Sequence, residues 1–395
     1  MAGLKRYLDL SLPLGQSAFL WGPRKAGKST YLRHRYPQSS YYDLLDSSVY
    51  LRLLEAPYTL RQEVSLISEE RQQYPIIIDE IQKIPLLLDE VHGIIESMKP
   101  LYFILCGSST RKLRQSGANF LGGRAWRYSF MPLVFPELPH FDLLHIFKTG
   151  LLPSHFLRPL TATKSIKSYI SDYLIQEVQY EGTVRNLRAF LKFLDVMAYS
   201  QGEIINFSNI ARDCAVDAKT IKAYFEIIQD MLLGSFVEPY DKTPGRDVIK
   251  AHPKFYFFDV GIANQLAQRK IEELKGSDAG RAFEHYLFYE LNAYKQLNDL
   301  DFKINYWRTR SGSEVDFIIG HATIAIESKM TRLVQQRDLQ GLIAFHKECP
   351  KAKLYVVSLE PRARLITLDT TKIQVVPIKE FLENLWEGKI IEKTH

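Results

Sequence analysis

The chain has 395 residues, of which 46% are apolar and 24% charged, and a formal net charge of +6. These values suit two or three globular domains and permit nucleic-acid binding without requiring it. Cys106, Cys214 and Cys349 have no metal-ligand spacing, the amino end lacks a signal-peptide core, and no run is long enough to cross a bilayer. The expectation is therefore a soluble, cytoplasmic protein with reduced thiols, no signal peptide and no membrane partner.

Ser17-Ala18-Phe19-Leu20-Trp21 reads as a buried strand and leads into Gly22-Pro23-Arg24-Lys25-Ala26-Gly27-Lys28-Ser29-Thr30, which fits G-x-x-x-x-G-K-[ST]. Strand before and helix after are the context this motif needs. Its glycines let backbone N–H groups turn toward phosphates, and the helix N-terminus adds partial positive charge. Lys28 is expected to reach the β- and γ-phosphates of ATP, and Ser29 to hold Mg²⁺.

Tyr74–Glu80 is a second buried strand, ending in Asp79 and Glu80. Asp79 is placed to hold Mg²⁺ through water and Glu80 to polarise the attacking water. Acids in that position also cap helices. Leu101–Gly107 is a third strand, running into Ser108, Ser109 and Thr110. A hydroxyl there can stand between the acids and the γ-phosphate, or cap the helix that begins near Arg111. Gly122-Gly123-Arg124 precedes a strand at Arg127–Phe130. Arg124 reads either as an arginine finger toward a neighbouring subunit's nucleotide or as a surface loop residue.

This order of parts resembles the AAA+ branch of P-loop ATPases. More narrowly it resembles bacterial and archaeal proteins joining such an ATPase to a C-terminal DUF4143 domain. The resemblance implies that Asp79 and Glu80 are the Walker B pair, that Ser108 or Ser109 is sensor 1, and that Arg124 acts in trans within a homo-oligomer.

Beyond Pro159, a helical pattern from Ser165 to Tyr199 carries Tyr169, Tyr173, Val178, Leu187, Phe190, Leu191 and Leu194 as apolar positions. Ser208 and Asp217 are then expected to cap two helices, the second bearing Lys219, Thr220 and Lys222 near its start. With strands near 232–240 and 254–258 as wings, this resembles a winged helix-turn-helix. Two packed helices with ordinary surface lysines are the plainer reading.

Near the carboxyl end, Phe283, Tyr286, Leu287 and Leu291 mark an amphipathic helix from Gly280 that carries Glu284. Strands at 304–309, 314–319 and 323–329 form a meander with hairpin signals. Strand alternation puts Glu327 and Lys329 on one face, which Asp316 can share and Glu284 can close. Carboxylates with a lysine can bind Mg²⁺ and activate water for phosphodiester cleavage, Asp316 and Glu327 being the candidate ligands. A solvated face of paired charges is the alternative. The constellation resembles the PD-(D/E)XK nucleases, with Val315 where that pattern has proline; a helix near 336–346 and a strand at 353–357 continue it.

The fold class expected is α/β. A P-loop AAA+ parallel sheet occupies 1–150, a helical linker and winged helix 151–260, and a PD-(D/E)XK nuclease-like domain 261–395. The functional expectation is an ATP-hydrolysing protein that binds DNA or RNA and couples nucleotide state to its C-terminal domain. The alternative is a signalling or regulatory ATPase whose C-terminal fold is catalytically silent and recruits protein partners.

Overall fold

The computed structural model describes residues 4–115, 121–174, 184, 186–241, 252–368 and 370–392. They form two compact units: Met1–Leu133 with Ile227–Leu233, and Val134–Glu226 with Gly234–His395.

The first unit is built on strands β1 (Ser17–Trp21), β2 (Tyr41–Asp43), β3 (Ile76–Asp79), β4 (Phe103–Gly107) and β5 (Ala125–Ser129). They pair in the order β2-β3-β4-β1-β5, every pair parallel. β1, β3 and β4 are buried at every position. Their near-continuous apolar runs are what a parallel sheet covered on both faces requires. Phe19, Ile78, Phe103 and Leu105 pack with Leu53 of helix Ser47–Glu55 and with Leu87, Val91 and Ile94 of helix Leu87–Ser97. Each fully buried side chain of this kind contributes about 1.5–3 kcal/mol. Parallel register brings Trp21 beside Gly107 and Asp79 beside Cys106. The carboxyl ends of three strands thus share one rim, where open α/β sheets bind ligands.

In the second unit, the expected Ser165–Tyr199 helix is interrupted. Helix Pro159–Ser168 passes into a π-helical segment, Tyr169–Leu174, and a new helix runs from Leu187 to Tyr199. The Asn186 side chain accepts from Ala189 N at 3.0 Å, so a local cap starts the second helix. Val178 and the side chain of Tyr173 lie outside the described residues. Helices Phe207–Asp213 and Ala218–Asp230 follow. Asn206, not Ser208, caps the first, accepting from Ser208 N and Asn209 N at 3.0 and 3.1 Å. Asp217 takes Thr220 N at 2.7 Å, as expected of a cap.

An antiparallel hairpin of β6 (Gly234–Pro239) and β7 (Lys254–Phe257) comes next. It joins β8 (Ile304–Arg308), β9 (Glu314–Ile319), β10 (Ile324–Lys329), β11 (Lys353–Ser358), β12 (Arg364–Leu368) and β13 (Thr371–Pro377) in one eight-stranded sheet. Its order is β12-β13-β11-β10-β9-β8-β6-β7. β8, β9 and β10 form the expected antiparallel meander, and β11 returns parallel to β10 after helix Gln340–Glu348. The strands expected as wings are thus continuous with the carboxyl-terminal sheet through β6 and β8. Helix Gly276–Leu297 starts four residues before the expected Gly280 and carries Glu284. Among the described residues, no helix is long and apolar enough to cross a membrane.

Candidate functional site

The loop after β1 is a tight backbone cradle. A Cβ on Gly22 would fall 2.1 Å from Phe130 O, so only glycine fits. Lys25 and Gly27 have φ of 63° and 102°, conformations that turn the chain into helix Lys28–Arg35. The Lys28 side chain is buried, and its ammonium donates to Gly22 O at 2.6 Å and Pro23 O at 3.0 Å. Pro23 and Ala26 are buried, Arg24 and Ser29 half-buried, and Lys25 and Thr30 exposed. A buried cation beside glycine-lined backbone at a helix start fits a phosphate group.

Glu80 leaves β3 with φ 60°, in left-handed backbone that costs a non-glycine residue about 1–2 kcal/mol. It makes no side-chain cap, so the capping alternative does not hold. Its carboxylate Oε2 accepts from Ser108 Oγ at 3.1 Å and from Gln82 Nε2. Gln82 also donates to Ser108 Oγ at 3.1 Å. Burial pushes the Glu80 carboxyl above its ordinary range, opposed chiefly by the Lys28 charge. Asp79 takes the Tyr41 hydroxyl on Oδ2 at 2.5 Å and the Glu80 N–H on Oδ1 at 3.1 Å. Ser109 Oγ accepts from Arg111 N at 3.2 Å. The two serines therefore divide the work: Ser108 faces the acid and Ser109 starts the next helix.

Arg124 lies elsewhere. It immediately precedes β5, whose first residue, Ala125, pairs with Ser17 at the start of β1. That places it at the rim opposite the Gly22–Ser29 loop, about 13 Å of strand away. Its guanidinium pairs with Glu96, both side chains being about half exposed.

Gln82 and Tyr41 are functional candidates that sequence reasoning missed. The signal for Gln82 was Gly107, where a Cβ would come within 2.5 Å of Gln82 Oε1. Tyr41 gave none, because β2 is a short strand with no motif.

The second unit assembles the expected acids and adds others. Lys329 Nζ donates to Glu327 Oε1 at 2.6 Å, and Asp316 Oδ2 accepts from Ser328 N at 2.7 Å and Ser328 Oγ at 2.6 Å. Glu327 Oε2 is buried without a hydrogen-bond partner. Burial, with the Asp316 charge next, pushes Glu327 up to about 8, and Glu284 also contributes. The four expected residues thus share one electrostatic neighbourhood. Glu284 Oε1, however, receives the Tyr256 hydroxyl and Lys254 Nζ, the latter at 3.3 Å. Lys254 also meets Glu314 Oε1 at 2.6 Å, with only 3% of its side chain exposed. Lys254 and Tyr256 come from β7, about 30 residues before Glu284, so no spacing rule pointed to them. Among the described residues, no three His, Cys, Asp or Glu side chains are grouped to hold a metal ion.

Residues 15–139 match the AAA domain family, residues 141–273 a domain of unknown function (DUF8612), and residues 279–381 a domain of unknown function (DUF4143). The chain thus carries an AAA-domain match toward its amino end and a DUF4143 match toward its carboxyl end. No curated protein matches it. The AAA domain suggests an ATPase and implies nucleotide binding.

Proposed function

We propose that the protein hydrolyses ATP at the Gly22–Ser29 loop, binds nucleic acid, and couples its nucleotide state to the C-terminal domain. The observation that carries the ATPase reading is the buried Glu80–Ser108–Gln82 group on the same rim as Lys28. Lys28 exchanges two neutral carbonyls for phosphate oxygens. Ser108 and Gln82 orient Glu80, which positions the attacking water and accepts its proton. Ser29 and Asp79 are the residues that would hold a magnesium ion, which would supply charge neutralisation of the phosphates. Arg124, at the opposite rim from its own loop, acts on a neighbouring subunit's nucleotide in a homo-oligomer.

Several features support nucleic-acid binding. Helices Phe207–Asp213 and Ala218–Asp230 followed by the β6–β7 hairpin fit a winged helix, and Arg212, Lys219 and Lys222 are exposed on it. Helix Gly276–Leu297, the β8–β9–β10 meander, helix Gln340–Glu348 and parallel β11 fit a PD-(D/E)XK-like domain.

The test is ATP turnover with and without duplex DNA and RNA, alongside binding at several salt concentrations. Stimulated turnover is expected, with binding that weakens as salt rises. Replacing Lys219 and Lys222 together by alanine should reduce the salt slope by about two. Turnover and binding indifferent to both nucleic acids would favour recruitment of protein partners instead.

A further inference from the structure

The DUF4143-matching region carries the acids expected of a metal site, yet a cation is already built in beside two of its acids. Lys254 Nζ lies 2.6 Å from Glu314 Oε1 and 3.3 Å from Glu284 Oε1. Its ammonium also acts on the Asp316 carboxylate through space. The lysine is more buried than either acid, with side-chain exposures of 3%, 20% and 28% for Lys254, Glu284 and Glu314. The Tyr256 hydroxyl, also from β7, donates to Glu284 Oε1 and fixes the same oxygen. The remaining acids are engaged too: Asp316 Oδ2 holds two donors of Ser328, and Glu327 Oε1 holds Lys329.

We infer that Lys254 is the resident cation of this cluster, its ammonium taking the place of a divalent ion between Glu284 and Glu314. Glu284 and Glu314 are therefore ion-pair partners, not metal ligands. An ammonium on a chain-anchored stem cannot be exchanged, chelated or displaced by a substrate phosphate as a hydrated ion can. β7 and β9 are not neighbours in the sheet, since β6 and β8 lie between them, so the lysine and tyrosine tie helix Gly276–Leu297 and β9 to the hairpin. Glu284, the acid expected to close the site, is thus engaged in holding the domain together. Glu327 Oε2 with Asp316 leaves at most a two-carboxylate position, which this inference does not occupy. The inference depends only on the second unit, so failure of the ATPase reading leaves it standing.

The experiment measures Mn²⁺ binding by electron paramagnetic resonance and by thermal shift in the full chain, without nucleotide. The background is Asp79→Ala, which removes the acid of the phosphate-loop site. In that background, Glu284→Gln and Glu314→Gln should leave any Mn²⁺ binding unchanged. Lys254→Met should gain about one Mn²⁺ per chain and a metal-dependent rise in Tm, and adding Glu314→Gln should abolish both. Lys254→Arg, which keeps the charge, should gain neither. Loss of Mn²⁺ from the Lys254-containing chain on Glu284→Gln or Glu314→Gln would overturn the inference. So would a folded Lys254→Met chain that takes up no Mn²⁺. If Lys254→Met does not fold, the two glutamine variants decide alone: Mn²⁺ binding unchanged upholds the inference, and binding lost ends it.

Discussion

Ser108 Oγ donates to Glu80 Oε2 at 3.1 Å, joining the end of β4 to the acid that follows β3. β4 lies between β1 and β3, so this hydroxyl sits between the Gly22–Ser29 loop and Glu80. A hydrogen bond to a charged group contributes about 1.5–3 kcal/mol, and about 1.4 kcal/mol is tenfold in rate. Ser108→Ala should therefore slow ATP turnover roughly ten- to a hundred-fold while ATP affinity stays within a factor of about three. Ser109→Ala, which loses only a helix cap, should change turnover far less. Steady-state phosphate release with equilibrium ATP binding separates the two.

Arg124 and its exposed partner Glu96 form a surface pair, which is worth little to folding. Arg124→Ala should leave Tm within about one degree of wild type. It should nevertheless depress turnover strongly if the residue serves a neighbour's nucleotide. Mixing Arg124→Ala with Lys28→Ala chains should then restore part of the activity, because one mutant lends its arginine and the other its loop. Titration of one inactive variant with the other reads this directly, and no restoration at any ratio counts against the trans assignment.

Asp230 receives Arg111 at 3.1 Å and Arg114 at 2.8 Å, with only 13% of its side chain exposed. Removing this mostly buried carboxylate takes one ion-pair partner from each of Arg111 and Arg114. Asp230→Ala should cost about 1–3 kcal/mol in denaturant unfolding. It should also slow turnover without weakening ATP binding, since the segment that follows Ser109 loses its anchor.

Glu290 supplies a pH signature independent of the nucleotide. It is fully buried, accepts from Phe135 N at 3.1 Å and Trp386 Nε1 at 2.8 Å, and burial pushes its carboxyl up to about 8. Its folded value lies above its unfolded one, so the folded state binds more protons between about pH 4.5 and 8. Stability from this group is complete at low pH and is lost as pH rises through 8. Glu290→Gln should flatten that decline, raising Tm by a few degrees at pH 8 and changing it little at pH 5. Thermal unfolding of both proteins across pH 5–8 checks this.

Much of the first unit was legible because its chemistry is local. The loop, the Ile76–Asp79 strand and the serines after Gly107 each announce themselves within ten residues. Continuous apolar runs correctly pointed to a parallel sheet. The second unit was legible only in pieces. Asp316, Glu327 and Lys329 could be placed from strand alternation. Lys254 and Tyr256 could not, because their approach to Glu284 is a property of tertiary packing. The helix expected from Ser165 to Tyr199 failed where Asn186 offers the backbone a competing hydrogen bond, a local choice that apolar periodicity does not register. Asn206 displaced Ser208 as a cap in the same local way: both are capping residue types, and the Asn206 side chain takes the N–H groups of Ser208 and Asn209.

The central claim is tested most directly by comparing wild type with Glu80→Gln for ATP binding and turnover in magnesium. Equal binding is expected, with turnover slower by about a hundred-fold or more in the variant, since a positioned base contributes roughly 10²–10⁴. Undiminished turnover in Glu80→Gln, or no ATP uptake by wild type, would contradict the claim.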